Sequence, residues 1–377
     1  MKKLLALALA GVMALSMVAC GNAPAAGKNE NGMKIAIVSS PSGVDDGSFN
    51  QDNYNGVLKF IDENEGATVN PVREETGDSA AAVAAVSDIV ADYEVIVCCG
   101  FQFAGIGDVA KENPNTKFIL IDSWPTVEGV ELTADAPLEN VYAAYYAEQE
   151  SGFCAGMAAA LETKTGKVAV VNGIAFPSNV NYQYGFECGV KYVNATEGLS
   201  VEVVELPSYA GTDVTGANVG GNYVGNFSDE ATGKVVGNAL IAEGVDILFV
   251  AAGASGNGVF TAAKEATSDV KVIGCDVDQY DDGANGDSNI ILTSALKVMH
   301  DTVYNSLNTV KAGTFVGANV TLMADTDSTG FVSTEGRHQM AAGTVEKITA
   351  AQAKVKAGEI VPAANFNGIT PETFEVK

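Results

Sequence analysis

The sequence is poor in basic residues and in histidine. It has 21 Lys and Arg against 47 Asp and Glu over 377 residues, a formal net charge of −26, and no basic cluster. So acidic a chain repels phosphate groups, and we therefore expect no nucleic-acid partner. The only histidines are His300 and His338, and no Cys-x-x-Cys pair exists. These shortages argue against a zinc site, and we expect neither a metal nor a cofactor.

Sequence patterns of common catalytic sites are missing as well. The chain contains no Gly-x-Ser-x-Gly and no His-Glu-x-x-His string, so the two best-known hydrolase motifs are excluded and no enzyme is expected. Beyond Cys20 there are five cysteines, an odd number without disulfide-like spacing. We expect these five to be buried free thiols that pack as small apolar groups.

Long apolar runs are confined to the N-terminus. Lys2 and Lys3 precede an almost wholly apolar stretch that ends in Met17-Val18-Ala19-Cys20. This pattern predicts a signal peptide over residues 1–19 and looks like a bacterial lipobox, with Cys20 as the lipidated residue. Residues 20–32 are small and polar, as expected of a flexible tether. We expect the chain to be held at the extracytoplasmic face of the cell membrane by its N-terminal lipid.

The body of the chain alternates between strand-like and helix-like segments. Strands are predicted at 34–40, 94–100, 117–122, 141–146, 167–173, 201–206, 246–253 and 271–276. Helices are predicted at 50–63, 78–92, 148–162, 184–194, 228–243, 259–267 and 297–311. Several strands are apolar on both faces, as in a parallel sheet covered by helices. We expect an α/β fold with two doubly wound lobes, because roughly 345 residues exceed one such sheet.

Polar residues follow the ends of several predicted strands. In a doubly wound sheet a ligand binds outside the carboxyl ends of the strands. Ser40 ends the first strand, and the loop after it leads to Phe49 and Asn50. The other candidates are Asp122, Gly253 and Asp276 at strand ends, and Lys297, a lone cation close to the same edge. We expect these residues to lie around a cleft between the lobes.

Six strings spread along the chain share one resemblance. They are GVDDGSFNQ at 43–51, FILID at 118–122, EQESGF at 148–153, AAALETKTGKVAV at 158–170, YGFECG at 184–189 and IGCDVDQ at 273–279. Together they resemble the basic membrane protein family, the PnrA-like purine nucleoside-binding lipoproteins. The similarity runs from about residue 33 to residue 360. This chain departs from the family's name in being strongly acidic.

The resemblance implies the type I periplasmic-binding fold, in which two lobes joined by three hinge crossings close over a ligand. It also implies the capture component of an ABC importer, with a nucleoside as ligand and a transporter permease as partner. On this basis we expect the first lobe to comprise residues 33–146 and 277–322. The second lobe would comprise residues 147–276 and 323–377.

The resemblance also assigns roles to individual residues. Phe49 and Phe227 would sandwich the base, while Asn50 and Asp122 would form hydrogen bonds with it. Ser40 stands where the family often has Asp, which leaves the preferred base open because a hydroxyl can donate as well as accept.

The ribose hydroxyls would be held by Gly253, Asp276 and Lys297. Two other functions stay open at this point. One is a receptor of the same fold for another small polar ligand, such as a sugar or an autoinducer. The other is an extracellular nucleoside hydrolase, which would need acidic residues converging on a calcium ion.

Overall fold

The computed structural model describes residues 32–376, which form two six-stranded sheets with helices on both faces of each. The strands of the first sheet are β1 (Lys34–Ser39), β2 (Thr68–Arg73), β3 (Val95–Cys99), β4 (Lys117–Ile121), β5 (Val141–Tyr146) and β11 (Ala318–Leu322). They are all parallel, in the order β11-β5-β4-β3-β1-β2.

The second sheet repeats this arrangement. Its strands are β6 (Lys167–Asn172), β7 (Glu202–Val203), β8 (Ile247–Ala251), β9 (Lys271–Asp276), β10 (Ile291–Lys297) and β12 (Thr329–Phe331). Their order is β12-β10-β9-β8-β6-β7, and only the edge strand β12 is antiparallel to its neighbour. The two sheets therefore have the same strand order, counted along the chain.

Helices cover both faces of the two sheets. They are α1 (Phe49–Asp62), α2 (Ser79–Ile89), α3 (Ile106–Glu112), α4 (Glu148–Glu162), α5 (Pro177–Glu197), α6 (Glu230–Ala242), α7 (Ser255–Glu265), α8 (His300–Ala312) and α9 (Ala342–Lys356). The helices α1 and α8 lie on one face of the first sheet, and α2 and α3 on the other. On the second sheet, α4, α5 and α9 cover one face, and α6 and α7 the other.

The apolar strands explain why both faces are covered. In β1, Ile35 and Ile37 belong to one buried cluster, whereas Ala36 and Val38 belong to the cluster on the opposite face. Successive side chains of a strand point to opposite faces, so a strand that is apolar throughout needs helices on both. The prediction of a doubly wound α/β fold is confirmed.

Helices α4 and α5 approach each other very closely. A Cβ atom at Gly156 would overlap the carbonyl of Phe186, and one at Gly185 would overlap the carbonyl of Gln149. Glycine is therefore required at this helix contact. The close packing brings the beginning of α4, with Glu148, next to Asn181 of α5.

The chain passes between the sheets three times: from β5 to α4, from β10 to α8 and from β11 to β12. The second passage differs from the sequence-based division, which gave residues 277–322 to the first lobe. Strand β10 pairs with β9 in the second sheet. The passage therefore lies between Lys297 and His300 and not at residue 276. The division was wrong here because the polar segment 277–289 interrupts the strand pattern without ending the lobe.

Further differences concern single elements. The helix predicted at 297–311 begins only at His300, because Ile291–Lys297 is a strand. Strands β2, β10, β11 and β12 and helices α3 and α9 were not predicted. The strand predicted at 201–206 is reduced to Glu202–Val203.

The remaining expectations concern cysteines and membranes. Cys98, Cys99, Cys154, Cys188 and Cys275 are free and buried, as predicted. Among residues 32–376, none of the helices combines the length and the apolar character that a membrane span requires. The predicted signal peptide and Cys20, like most of the predicted tether, lie outside the described residues.

Candidate ligand-binding site

A cavity lies between the two lobes at the carboxyl ends of the strands. Its volume is about 60 Å³, below the range of about 300–1,000 Å³ typical of small-molecule sites. All eight predicted ligand-binding residues line it: Ser40, Phe49, Asn50, Asp122, Phe227, Gly253, Asp276 and Lys297. The structure thus brings together residues that are up to 257 positions apart in the sequence. Their role in binding stays a prediction.

The loop between β1 and α1 is held by Asp46. Its carboxylate accepts hydrogen bonds from the backbone N–H groups of Ser48, Asn50 and Gln51 at 3.0–3.1 Å. The first backbone N–H groups of a helix have no partner within the helix. Asp46 accepts hydrogen bonds from these groups and so caps the helix, whereas the Ser48 side chain forms no capping hydrogen bond. The capped helix begins with Phe49 and places its ring at the cavity wall.

A buried ammonium group is the electrostatic centre of the site. Lys297 Nζ lies 2.7 Å from Asp122 Oδ2, 3.5 Å from Glu148 Oε1 and 3.9 Å from Asp276 Oδ1. The Lys297 side chain is 2% exposed. One cation is therefore surrounded by three carboxylates, which gives the cluster a net negative charge when all four groups are ionised.

Burial shifts the pKa values in this cluster. It raises the pKa of Asp122, and the Lys297 ammonium opposes this shift without cancelling it. It also raises the pKa of Glu148, to about 7, again against the effect of Lys297. Burial lowers the pKa of Lys297, but its three carboxylate neighbours outweigh this and raise it above the ordinary value. Lys297 therefore stays charged at neutral pH.

Asp276 links the two lobes. Its Oδ1 accepts a hydrogen bond from the Tyr182 hydroxyl at 2.9 Å, and its Oδ2 accepts one from Ser48 Oγ of the first lobe at 3.0 Å. A second contact between the lobes joins Ser42 Oγ to the carbonyl of Phe227 at 2.9 Å. The first lobe thus touches the second directly beside two predicted ligand-binding residues.

Aromatic rings form much of the apolar wall. Phe227 lies 6.0 Å from Phe176 between ring centroids, and Phe176 lies 5.3 Å from Phe101 of the first lobe. Phe49 lies apart from this row, with its ring centroid 4.8 Å from Lys297 Nζ. Flat ligands with an aromatic ring are suited to such a wall, because stacking requires an exposed π-face.

Comparison with known proteins agrees with this architecture. Residues 33–215 and 215–365 match the model of the Bmp family, described as "ABC transporter substrate-binding protein PnrA-like". The chain belongs to the Bmp family. The expected resemblance to basic membrane proteins is confirmed, and so is the expectation that the chain is a substrate-binding protein and not an enzyme.

Relatives of this Bmp-family chain cover most of its length. The "ABC transporter nucleoside-binding protein BmpA" of Lactococcus lactis is 30% identical over 84% of this chain and 86% of the relative. The "CD4+ T-cell-stimulating antigen" of Listeria monocytogenes is 27% identical over 95% and 98% of the two chains. An ABC transporter solute-binding protein of Aeropyrum pernix matches the fold, with a TM-score of 0.67 and 24% identity over 90% of this chain and 83% of that one. The fold is the type I periplasmic-binding fold.

Sequence reasoning missed several groups in the site of this Bmp-family chain. Glu148 lies 3.5 Å from Lys297 Nζ, and the Tyr182 hydroxyl donates to Asp276, but both residues belong to helices and not to strand ends. Phe101 and Phe176 line the cavity from loops that follow β3 and β6. Their position directly after apolar strands is the same signal that identified Asp122, and it could have identified these two phenylalanines.

Proposed function

We propose that this Bmp-family protein captures a purine nucleoside between its two lobes and delivers it to the permease of an ABC importer. The observation that carries the proposal is the convergence of aromatic rings and a buried Lys–carboxylate cluster on one cavity. A nucleoside has a flat base for the rings and hydroxyl groups for the carboxylates. Stacking contributes about 1–3 kcal/mol per base, and hydroxyl groups donate strong hydrogen bonds to ionised acceptors.

The cluster offers one acceptor that the protein leaves unused. Asp122 Oδ1 is buried and has no hydrogen-bond partner within residues 32–376. A buried acceptor without a partner costs free energy, and a ligand that donates to it relieves that cost. The nucleoside-binding relative from Lactococcus lactis supports the same ligand class.

We further propose that the protein works on the extracytoplasmic face of the cell membrane, tethered by a lipid on Cys20. The charged residues Lys2 and Lys3, the apolar run and the lipobox-like string support this anchoring. A lipid anchor would keep the receptor near the permease without a spanning helix.

Isothermal titration calorimetry of the purified protein tests the ligand class. Adenosine, inosine and guanosine should bind, whereas ribose alone should bind far more weakly because it cannot stack. Adenine alone separates the stacking contribution from the hydroxyl contribution. Binding of sugars but not of nucleosides would favour a receptor for another small polar ligand instead. Release of free base from inosine would identify a hydrolase.

A further inference from the structure

The side-chain amide of Asn50 is fully used within the first lobe. Nδ2 donates to Asp46 Oδ2 at 2.7 Å and to Ser40 Oγ at 2.9 Å. Its Oδ1 accepts from the backbone N–H of Ser40 at 3.3 Å. An amide nitrogen has two hydrogens, so both are engaged. Asn50 therefore has no donor left for a ligand, although one lone pair of Oδ1 remains.

The partners on the two sides of the Asn50 amide determine which of its atoms donates and which accepts. Both oxygens of the Asp46 carboxylate accept from backbone N–H groups, so Asp46 is an acceptor at this point. The backbone N–H of Ser40 can only donate. A reversed Asn50 amide would place two acceptors together at Asp46 and two donors together at Ser40. Ser40 Oγ must consequently be the acceptor in its bond with Asn50.

This arrangement leaves the hydroxyl hydrogen of Ser40 unused. Within residues 32–376 it donates to no acceptor, while Ser40 lines the cavity and is 9% exposed. Ser42 provides the contrast on the same wall, because its hydroxyl donates to the carbonyl of Phe227. Of these two cavity serines, only Ser40 has a donor available to a ligand.

We infer that Ser40 determines base specificity by donating its hydroxyl hydrogen to a hydrogen-bond acceptor on the base, either a ring nitrogen or a carbonyl oxygen. The inference rests on the proposed nucleoside function and deepens it. A base that presented an N–H group at this point would leave the Ser40 hydrogen buried and unpaired, which weakens binding. The preferred nucleoside is the one whose edge presents an acceptor there.

The experiment pairs changes in the ligand with changes in the protein. The ligands are adenosine, its 1-deaza, 3-deaza and 7-deaza analogues, and inosine; each deaza analogue replaces one ring nitrogen with C–H. Affinities are measured for the wild type, Ser40→Ala and Ser40→Thr. We expect Ser40→Ala to lose about tenfold in affinity, the equivalent of one hydrogen bond, only for ligands that carry one particular acceptor. Ser40→Thr retains the hydroxyl and should retain the wild-type pattern.

Ser42→Ala is the matched control, since it removes a hydroxyl from the same wall whose hydrogen is used within the protein. It should weaken all five ligands by one common factor, because it loosens the contact between the lobes. The inference is overturned if Ser40→Ala weakens every ligand equally or none. If Ser40→Ala fails to fold, the affinities of the wild type decide alone. The inference is then overturned if adenosine, its three deaza analogues and inosine all bind the wild type equally well. Failure of every nucleoside to bind the wild type would instead remove the proposed function.

Discussion

Asp122 and Asp276 occupy equivalent positions in the two lobes and lie on either side of one ammonium group. Asp122 directly follows β4, the third strand from the edge of the first sheet, and Asp276 ends β9, the third strand from the corresponding edge of the second. Both have left-handed backbone angles, with φ of 64° and 69°. Such angles are uncommon outside glycine and recur at binding sites. Lys297 Nζ is 2.7 Å from one carboxylate and 3.9 Å from the other.

Replacement of Lys297 tests this relationship. Lys297→Met leaves Asp122, Glu148 and Asp276 buried together without a cation. Removal of one partner from a buried ion pair costs about 3–5 kcal/mol, so the free energy of unfolding in urea should fall by that amount. Lys297→Met combined with Asp122→Asn should recover part of the loss, because it also removes one unpaired charge. Equal losses in the single and double variants would show that the two groups are not coupled.

The aromatic wall can be tested at Phe227, which is half-buried and lies outside the main buried clusters. Phe227→Ala should weaken nucleoside binding by about 1–3 kcal/mol, which is roughly ten- to a hundredfold. Its melting temperature without ligand should change little. Phe249→Ala is the control, because Phe249 is buried and stacks on Phe186 in the core of the second lobe.

That control should lose about 3–5 kcal/mol of stability. The prediction for Phe227 fails if its variant melts at a much lower temperature while the folded remainder binds nucleoside normally. Such a result would make Phe227 a packing residue.

Ligand charge should matter strongly. Two carboxylates, Asp122 and Asp276, line the cavity beside the single ammonium of Lys297, which also contacts Glu148, so a phosphate group would meet net repulsion. We expect AMP to bind at least about a hundredfold more weakly than adenosine, since like charges brought together cost several kcal/mol. Competition calorimetry with the two ligands measures the ratio. Similar affinities would mean that the carboxylates do not face the ligand.

Stability should depend on pH through Glu148. Because burial raises the pKa of Glu148 to about 7, the folded state binds its proton more tightly than the unfolded state does. The resulting stabilisation is fully present below about pH 4.5, which is the ordinary pKa of a glutamate side chain. It is lost as the pH rises through about 7. In the Glu148→Gln variant, the urea concentration at the midpoint of unfolding should therefore fall less steeply than in the wild type between about pH 5 and about pH 8.

Glu187 serves as the control for this measurement. Burial raises its pKa to about 8, and it does not line the cavity. Glu187→Gln should also flatten the pH dependence of stability but leave nucleoside affinity unchanged. Parallel pH curves for the wild type and Glu148→Gln would contradict the role assigned to Glu148.

Anchoring is tested at Cys20, which lies outside the described residues. Cys20→Ala should release the protein from the membrane fraction or prevent removal of the signal peptide, because the thiol is the proposed site of lipid attachment. Cell fractionation with immunoblotting measures both outcomes. A correctly processed variant that remains in the membrane fraction would rule out the lipid anchor. Cys98→Ala, which removes a buried thiol, controls for loss of a cysteine elsewhere.

Much of the fold was predictable from the sequence because its signals are local. Strands such as β1 and β6 are apolar on both faces, and this pattern predicts a covered parallel sheet whatever the rest of the chain does. Strand β10 was not predicted, because the pattern of its polar end, Thr293 to Lys297, resembles a loop that leads into a helix. The pairing of β10 with its neighbour β9 is visible only in the structure, because the sequence pattern alone does not reveal it.

The sequence by itself determined that Asp122 and Asp276 stand at strand ends and face a cleft, with Lys297 close to the same edge. Only the tertiary structure decided how they are paired, because Lys297 is 175 positions from Asp122 and 149 from Glu148. It also decided that Asn50 donates to Asp46 and Ser40 and that the free hydrogen belongs to Ser40. Residue type states what a group can donate or accept, whereas burial and neighbouring groups determine which of those capacities remains for a ligand.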